Sequence, residues 1–385
     1  MALTNGPRFH QFPDGIDINK YPTDAVIAAV AADCAAKPGA ELTFADLHAN
    51  ALKLLYILIC HGVITMPEVN YDAFVRIYNF YYDNSSAEVD LTDSKVQLDY
   101  IFGSMVINPD FDILRLLGDE FADRGACDYL VMRILKKLVE AGVPLEFILS
   151  NHSYEWLMAL ATNAHKEQST AAPWYEWDSI IGTTNVLVMR SLICMMNFID
   201  AGLVSFAEIR EFIEKIYFPR LKLLSYSQCG DRITLFTHAP FGLNGVKGLA
   251  DKLGIQYGDT FPTEPSDIIR IIDNINAVFQ ENPNPIAVLQ SLITPAVVRR
   301  DNTVDDPAYE HSMPGEHLIW NRGPVLDPNR PASMCYAFGH VTSAVHPAGQ
   351  HGDAQNYFNL NNELGISRHP PYPTKPHTML FGLRS

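Results

Sequence analysis

The chain has 385 residues, 48% of them hydrophobic, enough for a large core and for one to three domains. Its net charge of −16 excludes a general nucleic-acid surface or an anionic-membrane surface, both of which need a basic excess. A small basic pocket for phosphate remains compatible with that charge. The six cysteines, Cys34, Cys60, Cys127, Cys194, Cys229 and Cys335, form no C-x-x-C pair, which predicts reduced thiols in a cytosol-like compartment.

The opening stretch MALTNGPRFHQFPDG has no basic segment followed by an apolar core, so no signal peptide is predicted. AELTFADLHAN reads as a strand leading to Asp46 and His48, followed by a helix, ALKLLYILICHG, that stops at Gly62. YDAFVRIYNFYYD is an aromatic-rich helix. FDILRLLGDEFADRG is a second strand, leading to Asp119, Asp123 and Arg124, and CDYLVMRILKKLVEAG is the helix after it. PLEFILSNHSYE is a third strand, leading to Asn151 and His152, with a helix beginning at YEWLMALAT.

NVLVMRSLICMMNFIDAGLV is the most apolar run, but Arg190 and Asp200 interrupt it, so no integral membrane segment is predicted. SFAEIREFIEKIYFPRL opens with a capping box from Ser205 to Glu208, and SDIIRIIDNINAVFQ is a further helix. LKLLSYS and RITLFTHAP read as a strand pair around Cys229, Gly230 and Asp231. MCYAFGHV, NYFNLNN and TMLFGL are later strands, and RHPPYPTKPH is a proline-rich surface segment. Repeated strand–loop–helix units argue an α/β fold, in which ligands collect beyond the carboxyl ends of the strands. The polar clusters all fall there.

Charged groups stay near a buried strand end only if paired, hydrogen-bonded or metal-bound. Asp46-x-His48 offers a carboxylate and an imidazole at alternate positions, a set that suits Mn, Fe or Zn better than Ca. Asp119 has two oxygens and could bridge two ions, and Asn151 adds a neutral oxygen. His238 and His340 each follow an apolar strand. Taken alone, the stretch from Asp119 to Arg124 has a second, lesser reading, an Asp–Arg salt bridge capping the following helix.

In order, these motifs resemble the metal-dependent phosphoprotein phosphatase (PPP) family of calcineurin-like metallophosphoesterases. That family carries G-D-x-H-G, G-D-x-x-D-R-G, G-N-H-E, H-G-G and a late G-H or A-H. This chain reads A-D-L-H-A-N, G-D-E-F-A-D-R-G, S-N-H-S-Y-E, T-H-A-P and F-G-H, from residue 45 to residue 340. The helical insertions resemble those of the Wip-type effector phosphatases of Legionella.

The resemblance implies a calcineurin-like β-sandwich flanked by helices. One domain would span 1–385, with helical insertions at about 64–108, 156–222 and 250–296. It implies two divalent metal ions, manganese first, with iron or zinc as alternatives. Asp46, His48 and Asp119 would hold one ion; Asp119, Asn151, His238 and His340 would hold the other. A metal-bound hydroxide would attack a phosphomonoester in line. His152 would be the general acid, oriented by Asp123, while Arg124 and Arg322 would bind the phosphoryl group.

The partner implied is a phosphoprotein, with phosphoserine or phosphothreonine favoured over phosphotyrosine. The helical insertions are candidate homodimer faces. A secreted effector of this kind would work in a host cytosol. Two other readings share the ligand set: a small-molecule phosphoesterase, such as a dinucleoside polyphosphate hydrolase, and an inactive binding scaffold.

The departures are specific. One extra residue separates Asp119 from Asp123. Ala45, Ala49 and Ser150 replace family glycines, and Ala at a position needing positive φ would strain the loop. Ser153 stands where the family has Glu, with Glu155 two residues on, and Ala239 and Pro240 replace the glycines after His238.

Overall fold

The computed structural model describes residues 8–11, 16–83, 92–122, 125, 127–163, 186–258, 260–293, 307–323, 325, 331–340, 349–351, 357–360 and 378–383. The strands are β1 (Arg8–Gln11), β2 (Ala40–Phe44), β3 (Ile64–Thr65), β4 (Val106–Ile107), β5 (Ile113–Leu116), β6 (Leu145–Ile148) and β7 (Leu221–Lys222). They continue with β8 (Ser225–Cys229), β9 (Arg232–Phe236), β10 (Met334–Phe338), β11 (Gly349–His351), β12 (Tyr357–Asn359) and β13 (Thr378–Leu383).

One sheet has the order β1-β13-β2-β5-β6-β7 and is parallel from β2 to β7. The second has the order β11-β12-β10-β9-β8 and pairs β10 in parallel with both β9 and β12. The expected strand pair around Gly230 is present as β8 and β9, antiparallel. A mixed α/β fold with parallel pairing is therefore observed. RHPPYPTKPH lies outside the described residues.

Side chains alternate along β2, β5 and β6, and the two faces of the first sheet have different chemistry. Leu42, Phe44, Leu114, Leu116, Leu145 and Phe147 join a core with Leu54, Leu55, Ile134 and Leu135 of the helices Ala51–Cys60 and Asp128–Glu140. The opposite face carries Glu41, Thr43, Arg115 and Glu146, all buried. Arg115 contacts Glu146 at 3.0 Å, Glu41 at 3.3 Å and Ser225 of β8 at 2.9 Å, and lies 4.1 Å from the ring centre of Phe236 of β9. These contacts bring the two sheets face to face. Burial pushes the Glu146 carboxyl up, but the Arg115 and Lys222 charges bring it down to about 2.

Several helices lie between the strands. Glu68–Asp83 and Thr92–Gly103 lie between β3 and β4, which pair as a short antiparallel ribbon. Phe206–Phe212 begins with the expected capping box, in which Ser205 Oγ accepts from Glu208 N at 3.1 Å and Glu208 Oε2 accepts from Ser205 N at 2.8 Å. A π-helical turn, Ile213–Tyr217, follows and carries Tyr217 toward the ends of the central strands. Pro265–Gln280 buries Ile268, Ile271, Ile272, Ile275 and Phe279, and its Asn276 accepts from Leu223 N at 3.0 Å.

The five described cysteines, Cys60, Cys127, Cys194, Cys229 and Cys335, are thiols and not disulfides. No helix among the described residues is long and apolar enough to cross a membrane.

Candidate metal centre

Each sheet ends in a pair of loops that keep the pairing of the parallel strands below them. Beyond β2 and β5, Leu117 N donates to Phe44 O at 2.9 Å, Asp46 N to Gly118 O at 3.3 Å, His48 N to Asp119 O at 2.5 Å and Ala49 N to Glu120 O at 3.2 Å. Beyond β9 and β10, Thr237 N donates to Ala337 O at 3.0 Å and Gly339 N to His238 O at 2.8 Å. The two loop pairs meet where His340 N donates to both oxygens of Asp46, at 3.0 and 3.2 Å.

The backbone at this junction is in the left-handed region at residues that are not glycine. Asp46, His48, Ala49, Asp119 and His340 have φ of 56°, 50°, 58°, 54° and 66°. Asp46 and His48 therefore lie in a left-handed loop and not on the strand pleat that D-x-H spacing alone suggests, and of the two only His48 falls in a group of potential ligands with Asp119. Ala49 has the strained conformation expected where a family glycine is replaced. Such strain persists when surrounding structure imposes it, and it gathers at functional sites.

Two glycines permit the close packing. A Cβ on Gly339 would lie 2.2 Å from Asp46 Oδ2, and one on Gly118 would lie 2.4 Å from Ser150 Cβ.

Asp46, His48, Asp119, Asn151, His152 and His238 are buried, and His340 is partly so. Two groups of potential ligands share Asp119: His48, Asp119 and His152, and Asp119, His238 and His340. Asp119 Oδ2 lies 3.8 Å from His48 Nδ1, and Asp119 Oδ1 lies 3.5 Å from His238 Nε2. Burial pushes the Asp119 carboxyl up, but His238, His152, His48 and His340 pull it well below the usual carboxylate range. Burial lowers the imidazole of His238 and holds that of His340 well below its ordinary value, so both favour the neutral form. The charge of Arg322, itself exposed, lowers His340 further and marks Arg322 as a neighbour of the site.

This donor set fits divalent metal. His238 Nδ1 lies 2.8 Å from Leu117 O, and donating there leaves a lone pair on Nε2. That lone pair faces Asn151 Oδ1 at 2.8 Å and His340 Nδ1 at 3.1 Å. His340 Nε2 is buried without a hydrogen-bond partner among the described residues. Neutral imidazoles, an amide oxygen and a carboxylate gathered in one place are consistent with a bound divalent cation, and nitrogen and oxygen ligands suit Mn, Fe or Zn.

Asn151 and His152 lie in the first turn of the helix Asn151–Asn163, which starts earlier than its apolar pattern suggests. Ser150 is the reason. Its Oγ accepts from Ser153 N at 3.1 Å, as an N-cap does, and also from Asp119 N at 2.8 Å. The serine in place of glycine thus ties the Asp119 loop to the Asn151 helix.

His152 Nδ1 lies 3.2 Å from Glu155 Oε2. Asp123 and Arg124 lie outside the described residues; of the described carboxylates, Glu155 faces His152 Nδ1, while Asp119 Oδ1 accepts from His152 N at 3.4 Å. Sequence reasoning assigns no role to Glu155, Ser150 or Glu120. The departure from the family motif at residues 153–155 was the signal available for Glu155.

Glu120 is buried beside the site. Tyr217 OH and Ser153 Oγ, the latter at 3.2 Å, donate to Glu120 Oε1. Burial pushes its carboxyl up to about 7.

The model of the WipA-like phosphatase domain family matches residues 113–366, more than half of the chain. The chain belongs to that family. The matched range includes Asp119, Asn151, His152, His238 and His340, while Asp46 and His48 precede it. Among solved structures, the phosphatase domain of the Legionella effector WipB aligns with a TM-score of 0.65 and 26% identity, over 79% of this chain and 99% of that one. A cold-active protein-tyrosine phosphatase of a psychrophilic Shewanella aligns with a TM-score of 0.37 and 12% identity, over 95% of this chain and 79% of that one, too weakly to carry an argument. No curated protein matches the chain. Membership of a WipA-like phosphatase family agrees with the expected PPP-like metallophosphoesterase type.

Proposed function

We propose that this WipA-like phosphatase domain is a two-metal protein phosphatase that hydrolyses phosphomonoesters. The observation that carries the reading is the buried Asp119 carboxylate, shared by two groups of imidazole ligands at the meeting of four loops. Asp46, His48 and Asp119 would hold one ion, and Asp119, Asn151, His238 and His340 the other. Two such ions, when bound, polarise phosphoryl oxygens and activate water near neutral pH.

The chain's own groups supply the remainder. His152 would give a proton to the leaving oxygen from Nε2, because its Nδ1 faces a carboxylate. Glu155 would fix the ring's orientation, alone or with Asp123, and stabilise the imidazolium. Arg124 and Arg322 would meet the negatively charged phosphoryl oxygens. The neighbourhood of Arg322 and His340 supports that assignment for Arg322.

The whole chain is read as one catalytic domain with helical insertions. The preference for phosphoserine and phosphothreonine over phosphotyrosine follows from the PPP resemblance. WipB is a Legionella effector, and its likeness supports a similar role for this chain in a host cytosol.

The deciding experiment is hydrolysis of p-nitrophenyl phosphate and of a phosphopeptide panel, with and without Mn²⁺, beside Asp119→Asn. Mn²⁺-dependent turnover absent from the variant supports the reading. Equal turnover by both proteins, or none by either with no metal bound, overturns it.

A further inference from the structure

A cleft of about 410 Å³ lies on the flank of the molecule, between the helices Thr92–Gly103 and Asp128–Glu140 and the segment from Leu203 to Phe212. Its floor is apolar, with Phe102, Met132 and Leu203 all buried. Its rim carries Lys95, Arg133, Lys136 and Lys137 beside Asp99, Glu140 and Glu208, so basic side chains outnumber acidic ones by one, on a chain of net −16.

The acidic rim residues are engaged. Asp99 accepts from Arg133 at 2.9 Å, Glu140 lies 3.9 Å from Lys136, and Glu208 closes the capping box with Ser205. Arg133 is held over the Phe102 ring at 4.5 Å and donates to Tyr129 OH at 2.9 Å, so its guanidinium is fixed before any ligand arrives. Lys95 and Lys137 are not drawn into these pairs.

We propose that this cleft binds an acidic peptide segment of the phosphoprotein substrate, apart from the catalytic centre. An apolar side chain would rest on Phe102 and Met132 while neighbouring carboxylates meet Lys95 and Lys137. The volume is in the range of ligand pockets, and the two lysines outside the ion pairs, on a chain of net −16, favour an anionic segment by charge complementarity. Asp128 begins the helix that follows the Asp119 loop, and Lys137 lies about 14 Å farther along its axis. A substrate could therefore be held at both places by one chain. This inference rests on the phosphatase reading for the substrate's identity but not for the binding event.

The test is fluorescence anisotropy with a fluorescein-labelled peptide of alternating glutamate and leucine, at low and at 0.3 M salt. The wild-type chain is compared with the double variant Lys95→Glu/Lys137→Glu and with its Gln counterpart. Binding is expected to weaken at least tenfold with charge reversal, less with Gln, and to fall with salt. Hydrolysis of p-nitrophenyl phosphate should stay within twofold. No binding by the wild-type chain, equal binding by all three proteins, or displacement of the peptide by inorganic phosphate at the catalytic centre would overturn the proposal. Peptide binding without any p-nitrophenyl phosphate turnover would leave the cleft standing and remove the phosphatase reading.

Discussion

Glu155 Oε2 and His152 Nδ1 lie 3.2 Å apart, one turn along the same helix, with both side chains buried. Three residues of separation place the carboxylate on the imidazole's own helical face. The pairing occupies Nδ1 of the ring.

Glu155→Gln should lower kcat on a phosphoserine peptide about 10- to 100-fold while leaving bound metal unchanged. The loss should be smaller on p-nitrophenyl phosphate, whose leaving group needs little protonation. Combining it with His152→Ala should cost no more than His152→Ala alone, because the two residues act as one unit. If Asp123→Asn reproduces the loss and Glu155→Gln is silent, orientation of His152 belongs to Asp123.

His48→Ala and Asp119→Asn should each lose metal, measured by plasma mass spectrometry, together with nearly all turnover. Asp119→Asn removes the one carboxylate common to both ligand groups and should release both ions. A variant that retained two ions per chain would show that Asp119 does not bridge them.

Backbone strain gives two opposite expectations. Ala49 has φ 58°, a conformation that costs a side-chain-bearing residue about 1–2 kcal/mol. Ala49→Gly should relieve part of that cost and raise the midpoint of chemical denaturation, by up to about 1 kcal/mol. Gly339→Ala would put a methyl group 2.2 Å from Asp46 Oδ2 and should lower both stability and metal affinity. A Gly339→Ala protein with unchanged midpoint and metal content would contradict this packing.

Glu120 makes stability fall as pH rises. Its carboxyl is raised from an ordinary 4.5 to about 7 in the fold, first by burial, so the folded chain keeps a proton that the unfolded chain releases. Between those values the folded state binds more protons, and roughly 3 kcal/mol of its relative stability is lost on going from pH 4.5 to 7. Denaturation of EDTA-treated protein should therefore depend less on pH in Glu120→Gln across this window. Parallel pH profiles for the two proteins would count against a protonated Glu120.

Much of this arrangement was legible in sequence because it is periodic or punctuated. The strands before Asp46, Asp119 and Asn151 show as apolar runs, and Gly62 and Gly142 mark helix ends by their positive φ. The ligand types in order pointed to a metal centre. What could not be read depends on contacts between distant segments. Ser150 looked like a lost glycine, yet it caps one helix and holds the Asp119 amide. Glu155 looked displaced, because its relation to His152 appears only once the helix begins at Asn151. The polar face formed by Glu41, Arg115 and Glu146 needed both sheets to be in place.

Phe121 gives the extra residue of the second motif a further meaning. Its ring stacks on Trp156 at 4.3 Å and meets the edges of Phe212 and Tyr217 at 5.9 and 5.5 Å. The Asp119 loop is therefore rooted in aromatic rings supplied partly by the segment Phe206–Tyr217. A shortened chain without Phe206–Tyr217 would lose part of the floor beneath the Asp119 loop. A minimal version of this protein would have to rebuild that floor, because these helices are part of its foundation.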